Sequence, residues 1–389
     1  MGKVIGLSTP NLHMDIVENL KECIETGWVS TGGRFITEFE GKMAKYVKVK
    51  DAIGVQSGTG GLHVSLEILG VKAGDEVIAP TLTFIAAVNP ITYLGAQPLF
   101  MDCDDSLNMD LDKLQEFCEE ECYMHGGELY SKASDNRIPV IVVVHVFGNP
   151  VDMERLMNIA KKYNLKVLED ATEALGSYYT SGVNAGKHCG TIGDMGVYSF
   201  NANKIITTGG GGMIVSDNEE YIKKARFLSV QAKTDSLYFI HDEIGYNYRM
   251  TNLQAALGTD QIDRLESFID HKIKMYNKYK EALKDIDGLY LVEFNDDTRS
   301  NHWFYSIVVD KYVYGMDKDE LLIKLNEAGI QTRPLWRLIH KNKPYVNHNA
   351  YNIEKAYFYE ENILNVPCST NLSDEDFETV VGKLREFKK

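Results

Sequence analysis

Positive charge is in short supply in this chain. Forty-one Lys and Arg stand against 56 Asp and Glu, a formal net charge of −15 at pH 7. Proteins hold nucleic-acid backbones with a surplus of basic residues, so this balance argues against a nucleic-acid partner. It leaves room for a local basic pocket that takes a small anion. Long hydrophobic runs are also missing. The best, IPVIVVVHVFG at 138–148, has the length of a strand rather than of a membrane span, and it contains His145. The opening segment MGKVIGLSTP has no apolar signal core, and Gly6 stands where a myristoylation pattern needs Ser or Thr. Six cysteines, at 23, 103, 118, 122, 189 and 368, are scattered over 389 residues. That usage reads as reduced thiols of a cytoplasmic protein, not a disulfide framework. Cys118, Cys122 and His125 lie in an acidic segment read as helical and exposed, without a clear fourth ligand, so no metal is expected.

What is present is an ordinary globular balance, 44% hydrophobic and 25% charged, in a chain long enough for two domains or one large unit with an appendage. From about 50 to 215, short apolar runs alternate with segments of helical periodicity. AIGV (52–55), EVIAP (76–80), PLFMD (98–102), PVIVVVHVFG (139–148), KVLED (166–170), MGVYSF (195–200) and GGMIVS (211–216) read as strands. Apolar strands between helices predict an α/β fold with a mostly parallel sheet covered on both faces. Long helices are expected over 251–284, then a smaller α+β region with a strand candidate HWFYSIVV (302–309). The division expected is a large domain with an N-terminal arm over 1–265 and a small domain over 266–389.

In such sheets ligands gather beyond the carboxyl ends of the strands, and several polar groups fall there. SGTGG (57–61) opens a helix, where backbone N–H groups and the hydroxyls of Ser57 and Thr59 could hold a phosphate or simply cap the helix. It is not a dinucleotide fingerprint, because His63 replaces the third glycine. Asp170 ends a buried strand, and a carboxylate there needs a metal, an arginine, a helix N-terminus or a protonated ring nitrogen. Glu169 is expected to face another side of that strand. Lys204 precedes four glycines (209–212), the reverse of a P-loop. It reads either as a solvated turn lysine or as a nucleophile whose neighbouring glycines let backbone pass close to a flat ligand. Taken together, these parts fit pyridoxal 5'-phosphate (PLP). That cofactor needs a Schiff-base lysine, an acid on its pyridinium nitrogen and a helix N-terminal phosphate cup. Phe84 is a candidate to stack on the ring.

GWVSTGGRFITEFE (27–40), SGTGGLHVSLEILGVKAGDEVIAPTLTF (57–84), EDATEALGS (169–177), GDMGVYSFNANKIITTGGGGMI (193–214), GYNYRMTNLQAALG (245–258) and AGIQTRPLW (328–336) follow one another. In this order the chain resembles, over nearly its whole length, the DegT/DnrJ/StrS family of nucleotide-sugar aminotransferases. The resemblance implies the fold type I architecture of PLP enzymes, with a mostly parallel seven-stranded sheet and a smaller α+β C-terminal domain. It implies a homodimer with active sites at the subunit interface. Lys204 becomes the Schiff-base lysine and Asp170 the pyridinium partner. Gly58, Thr59 and Ser199 would bind phosphate, and Phe84 would stack on the ring. Asn247 would reach the phosphate in the neighbouring subunit, with Arg249 close by. Glu173 stands where the family commonly has a glutamine contacting the ring oxygen, and Leu175 where a histidine is frequent. Relatives with histidine in place of the lysine act as sugar dehydratases; Lys204 places this chain with the aminotransferases.

NKIITTGGGG, FIHDEIGYNYRM and TRPLW are most similar to the subgroup of legionaminic-acid-type sugar synthesis. This implies amination at C4 of a nucleotide-linked 2-acetamido-4-keto-2,6-dideoxyhexose. L-Glutamate would be the donor, pyridoxamine 5'-phosphate the intermediate cofactor form and 2-oxoglutarate the co-product. Trp28, Thr31, Asn301 and Arg333 are the candidates for substrate contacts, each equally readable as core or dimer packing. A sugar 3-aminotransferase or perosamine synthase of the same fold is the first alternative. A non-catalytic PLP-binding regulator is the second, and an NAD-dependent sugar enzyme, without its glycine fingerprint, the third. UDP and GDP are both open as the nucleotide.

Overall fold

The computed structural model describes residues 3–235 and 237–389. The apolar runs form the strands of one sheet: β1 (Asp51–Val55), β2 (Glu76–Pro80), β3 (Gln97–Met101), β4 (Val140–Val144), β5 (Lys166–Asp170), β6 (Met195–Ser199) and β7 (Gly212–Ser216). An eighth strand, β8 (Ala350–Tyr351), joins them from the C-terminal part of the chain. The order across the sheet is β1-β7-β6-β5-β4-β2-β3-β8. All neighbours are parallel except β7, which runs antiparallel to both β1 and β6. Alternate side chains of β4 enter two different cores. Ile141 and Val143 pack on one face, Val140 and Val142 on the other. Burial of both faces explains why these strands read as continuous apolar runs.

β8 has no apolar run of its own. A few residues beyond it the chain meets Asp102, fully buried just after β3. The Asp102 carboxylate accepts the N–H groups of Glu354, Lys355 and Ala356 at 2.9, 3.0 and 2.9 Å. It also pairs with Lys113 at 2.8 Å. This one carboxylate thus caps the start of the C-terminal helix Lys355–Asn362 and pins it beside the large sheet.

The helices expected over 251–284 are a single one, Asn252–Leu283, opened by a capping box between Thr251 and Gln254. It packs against the helices Ile16–Thr26 and Arg34–Val47. The 265/266 division falls inside it. A second sheet, antiparallel, takes Leu289–Leu291, Tyr305–Val309, Ile363–Val366 and Arg333–Pro334 in that order. One segment differs from the sequence reading. The acidic helix ends at Glu120, and Cys122–His125, Glu128–Ser131 and Arg137–Ile138 form a small antiparallel sheet. Cys118, on the helix, and Cys122, at the start of the strand, are buried, while His125 is exposed at its far end. Among the described residues no helix is long and apolar enough to cross a membrane.

Candidate active site

β5 and β6 end side by side, and their last residues, Asp170 and Ser199, open into a cavity of about 360 Å³. The turn after β6 carries Lys204 into the same space, its N–H donating to the Asn201 carbonyl at 3.0 Å. The helix Gly58–Ile68 points its first turn at the cavity from β1. Ser57 caps it, its Oγ accepting the Gly60 N–H at 3.0 Å. The N–H groups of Gly58 and Thr59, at the start of that turn, have no acceptor within the helix and sit at the positive end of its dipole. The glycine run works against this helix. A Cβ on Gly212 would lie 2.7 Å from the Gly58 nitrogen. Gly209 and Gly211 have φ of +77° and +146°, open to glycine at little cost. Here the glycines let two backbones meet at the helix start.

Charge at the centre is unbalanced. Asp170 is 3% exposed and accepts one N–H, from Thr172, at 3.1 Å. Burial pushes its carboxyl up from the ordinary value, with Thr172 and the Lys204 charge only partly opposing. Glu173 is 4% exposed. Its Oε2 accepts the Phe147 N–H at 2.9 Å and its Oε1 lies 3.5 Å from Lys204 Nζ. Burial pushes Glu173 up to about 7 despite Lys204 and the Phe147 N–H. The Lys204 ammonium also sits 3.9 Å over the Trp303 ring. Two buried carboxylates therefore share one cation. A protonated ring nitrogen at Asp170 would supply the missing charge, a phosphate suits the open helix start, and Lys204 can reach an aldehyde between them. The residues fit PLP.

Eight residues singled out from the sequence line this cavity: Ser57, Gly58, Thr59, Phe84, Asp170, Glu173, Ser199 and Lys204. Phe84 is 52% exposed, its face free for a ring. The others lie elsewhere in the single chain. Asn301 is wholly buried beneath the site, its amide donating to the carbonyls of Glu173 and Leu175 at 2.8 and 2.9 Å. Arg249 turns inward to Glu40 and to the Gly54 carbonyl. Asn247, Trp28, Thr31 and Arg333 are exposed and outside the cavity wall. Three aromatic wall residues escape a sequence reading: Trp303, Phe304 and Trp336. Two of the chain's three tryptophans are among them, and Trp336 closes the TRPLW motif, but neither fact says which cavity they line. Glu169 faces away, as expected, pairing with His145 at 2.9 Å. A larger cavity, about 510 Å³, is lined by Asp104, Asp152, Glu154, Asp296 and Asp297 and has no lysine or arginine in its wall, so it suits neither a phosphate nor an aldehyde.

Comparison with known proteins agrees with this geometry. The profile of the DegT/DnrJ/EryC1/StrS aminotransferase family matches residues 10–385. The GDP-perosamine synthase of Escherichia coli O157:H7 is 35% identical over 387 residues, 99% of each chain. The UDP-4-amino-4,6-dideoxy-N-acetyl-β-L-altrosamine transaminase of Campylobacter jejuni is 30% identical over 396 residues, again 99% of each. The crystal structure of the aminotransferase TlmJ from Streptoalloteichus hindustanus superimposes with a TM-score of 0.87 at 28% identity, covering 99% of both chains.

Proposed function

The chain belongs to the DegT/DnrJ/EryC1/StrS aminotransferase family, and on that premise we propose that it aminates C4 of a nucleotide-linked 2-acetamido-4-keto-2,6-dideoxyhexose, with L-glutamate as donor. That it is a PLP-dependent sugar aminotransferase rests on the family and the relatives. The finer reading is supported by the meeting of Lys204, Asp170 and the helix start in one cavity, together with the likeness to a transaminase named for a UDP-linked 4-amino N-acetyl sugar. The likeness to GDP-perosamine synthases supports a second reading, a GDP-linked keto sugar.

PLP, when bound, supplies an electron sink and carries the amine between donor and acceptor. Gly58, Thr59 and Ser199 would hold its phosphate, Asp170 its ring nitrogen and Lys204 its aldehyde carbon. Asp170 is suited to face a protonated ring nitrogen because its carboxylate is buried with few partners, so a cationic ring would relieve the cost of its desolvated charge. Lys204 Nζ, held between Glu173 and the Trp303 face, is the base that moves a proton at the reacting carbon. Trp303 covers one side of that nitrogen, and Phe304 and Trp336 line the same cavity. Asn247, on the open surface of one chain, is assigned to the neighbouring subunit's phosphate in a cytoplasmic homodimer.

The test begins with an absorbance spectrum of protein loaded with PLP. A near-visible band that fades on adding glutamate, and is absent in Lys204→Ala, is the expected result. UDP- and GDP-linked 4-keto sugars, with and without a 2-acetamido group, are then offered with glutamate. Amination of the UDP-linked acetamido sugar supports the reading; amination of only the GDP-linked sugar replaces it with the second. A loaded protein whose spectrum ignores glutamate would remove both.

A further inference from the structure

The Glu173 carboxylate occupies a position that ring binding alone does not explain. Its Oε1 faces the reactive lysine at 3.5 Å while its Oε2 is anchored by the Phe147 N–H at 2.9 Å. The anchor is specific to this loop. Phe147 is buried yet has φ +56° and ψ +19°, a left-handed conformation that side chains rarely adopt. That conformation turns its N–H toward Glu173. Asn301, fully buried, fixes the Glu173 backbone from below through its carbonyl. One contact at the carboxylate and one at the backbone therefore hold Glu173 beside Lys204.

We propose that Glu173 is a catalytic residue that trades a proton directly with Lys204. In the forward step an N–H bond of the Lys204 ammonium breaks and an O–H bond forms at Glu173 Oε1. The electron pair stays on nitrogen, which becomes the free amine. The reverse step restores ammonium and carboxylate, so no other reactant is consumed. Glu173, pushed up to about 7 by its burial, holds a proton near the pH at which the enzyme works. The titratable groups facing the pair are Lys204 itself and Asp170. His145 lies behind Asp170, with Val151 N–H donating to its Nδ1 and its Nε2 toward Glu169. This inference rests on Lys204 being the reactive lysine, but its test needs neither sugar nor cofactor.

The experiment measures the rate at which acetic anhydride labels Lys204 in cofactor-free protein, read by peptide mass spectrometry from pH 5 to 11. A shared proton gives wild type two steps: labelling rises as the first proton leaves the pair, levels off, and rises again as the last one leaves. Glu173→Gln still offers an oxygen to the Phe147 N–H but cannot carry a proton, so it should label in a single step. Wild type that also labels in one step overturns the proposal, even if its midpoint differs from the variant's. Should Glu173→Gln fold poorly, carbon-13 NMR of the wild-type glutamate carboxyls decides. A Glu173 signal that titrates in two steps, one of them with Lys204, is expected, and a single ordinary step overturns it. If the loaded protein ignores glutamate while labelling shows two steps, the aminotransferase reading fails and the proton pair stands.

Discussion

At the scale of the residue, the site is defined by what burial does to carboxylates. Asp170 keeps its place at a cost, since it has one N–H partner and no cation of its own. Asp170→Asn should therefore separate stability from catalysis. Loss of a charge buried without a counterion should leave the melting temperature of the cofactor-free protein unchanged or higher. Turnover with the cofactor bound should fall about a hundredfold or more, roughly 2.7 kcal/mol of barrier. Thermal melts and kcat on the same preparations check both. An unaffected rate would mean that another group holds the ring nitrogen. The meeting of Lys204, Asp170 and Thr59 in one cavity was legible in the sequence because each stands at a strand end or helix start, where chain direction alone aims it at the same edge of the sheet. Trp303, Phe304 and Trp336 were not. They come from the C-terminal region, and no local spacing says which face of the first domain that region will cover. Asn301 failed as a substrate contact for the opposite reason: its amide is spent on two backbone carbonyls.

At the scale of the element, the start of the helix Gly58–Ile68 and the start of β7 are one unit. Gly212 has no positive φ, so its requirement for glycine is a matter of space alone. Gly212→Ala would put a Cβ against the Gly58 nitrogen and the Ser57 carbonyl at 2.7 and 2.8 Å. Backbone cannot yield as a side-chain tip can, so the helix start should shift, costing about 1–3 kcal/mol of stability. PLP affinity, measured by fluorescence titration, should drop at least tenfold while Lys204 still forms its near-visible band at saturating cofactor. Unchanged affinity would show that the phosphate is held elsewhere. The strands themselves were legible because a sheet buried on both faces leaves no polar alternation to blur the pattern. β8 was illegible because two residues inside a polar stretch have no periodicity, and their partners, Phe100 and Met101, lie 250 residues away. The small antiparallel sheet after Glu120 was misread for a related cause: charged residues on an exposed ribbon look like the solvated face of a helix.

At the scale of the whole molecule, Asp102 links the last part of the chain to the large sheet. Burial pushes its carboxyl up, but the Lys113 ammonium and the backbone N–H groups win and hold it below the ordinary value. A carboxyl held low when folded stabilises the protein fully above its unfolded value, about 3.9. That contribution is lost as pH falls through the lower, folded value. Asp102→Asn should cost about 3 kcal/mol at pH 7 by leaving Lys113 without its buried partner. The gap between variant and wild type in urea midpoint should narrow as pH falls below about 3.9. A gap independent of pH would mean that the attachment does not depend on this charge. The centre of the molecule behaves in the opposite sense, for there two acids hold protons more tightly folded than unfolded. The cofactor-free chain carries that imbalance until a cationic ring relieves it, and a ligand that binds only the folded state adds its binding energy to stability. Chains that miss their cofactor should be the ones that open and meet the proteases. A cell's supply of vitamin B6 would then set how long each copy of this enzyme survives, as well as how many are active.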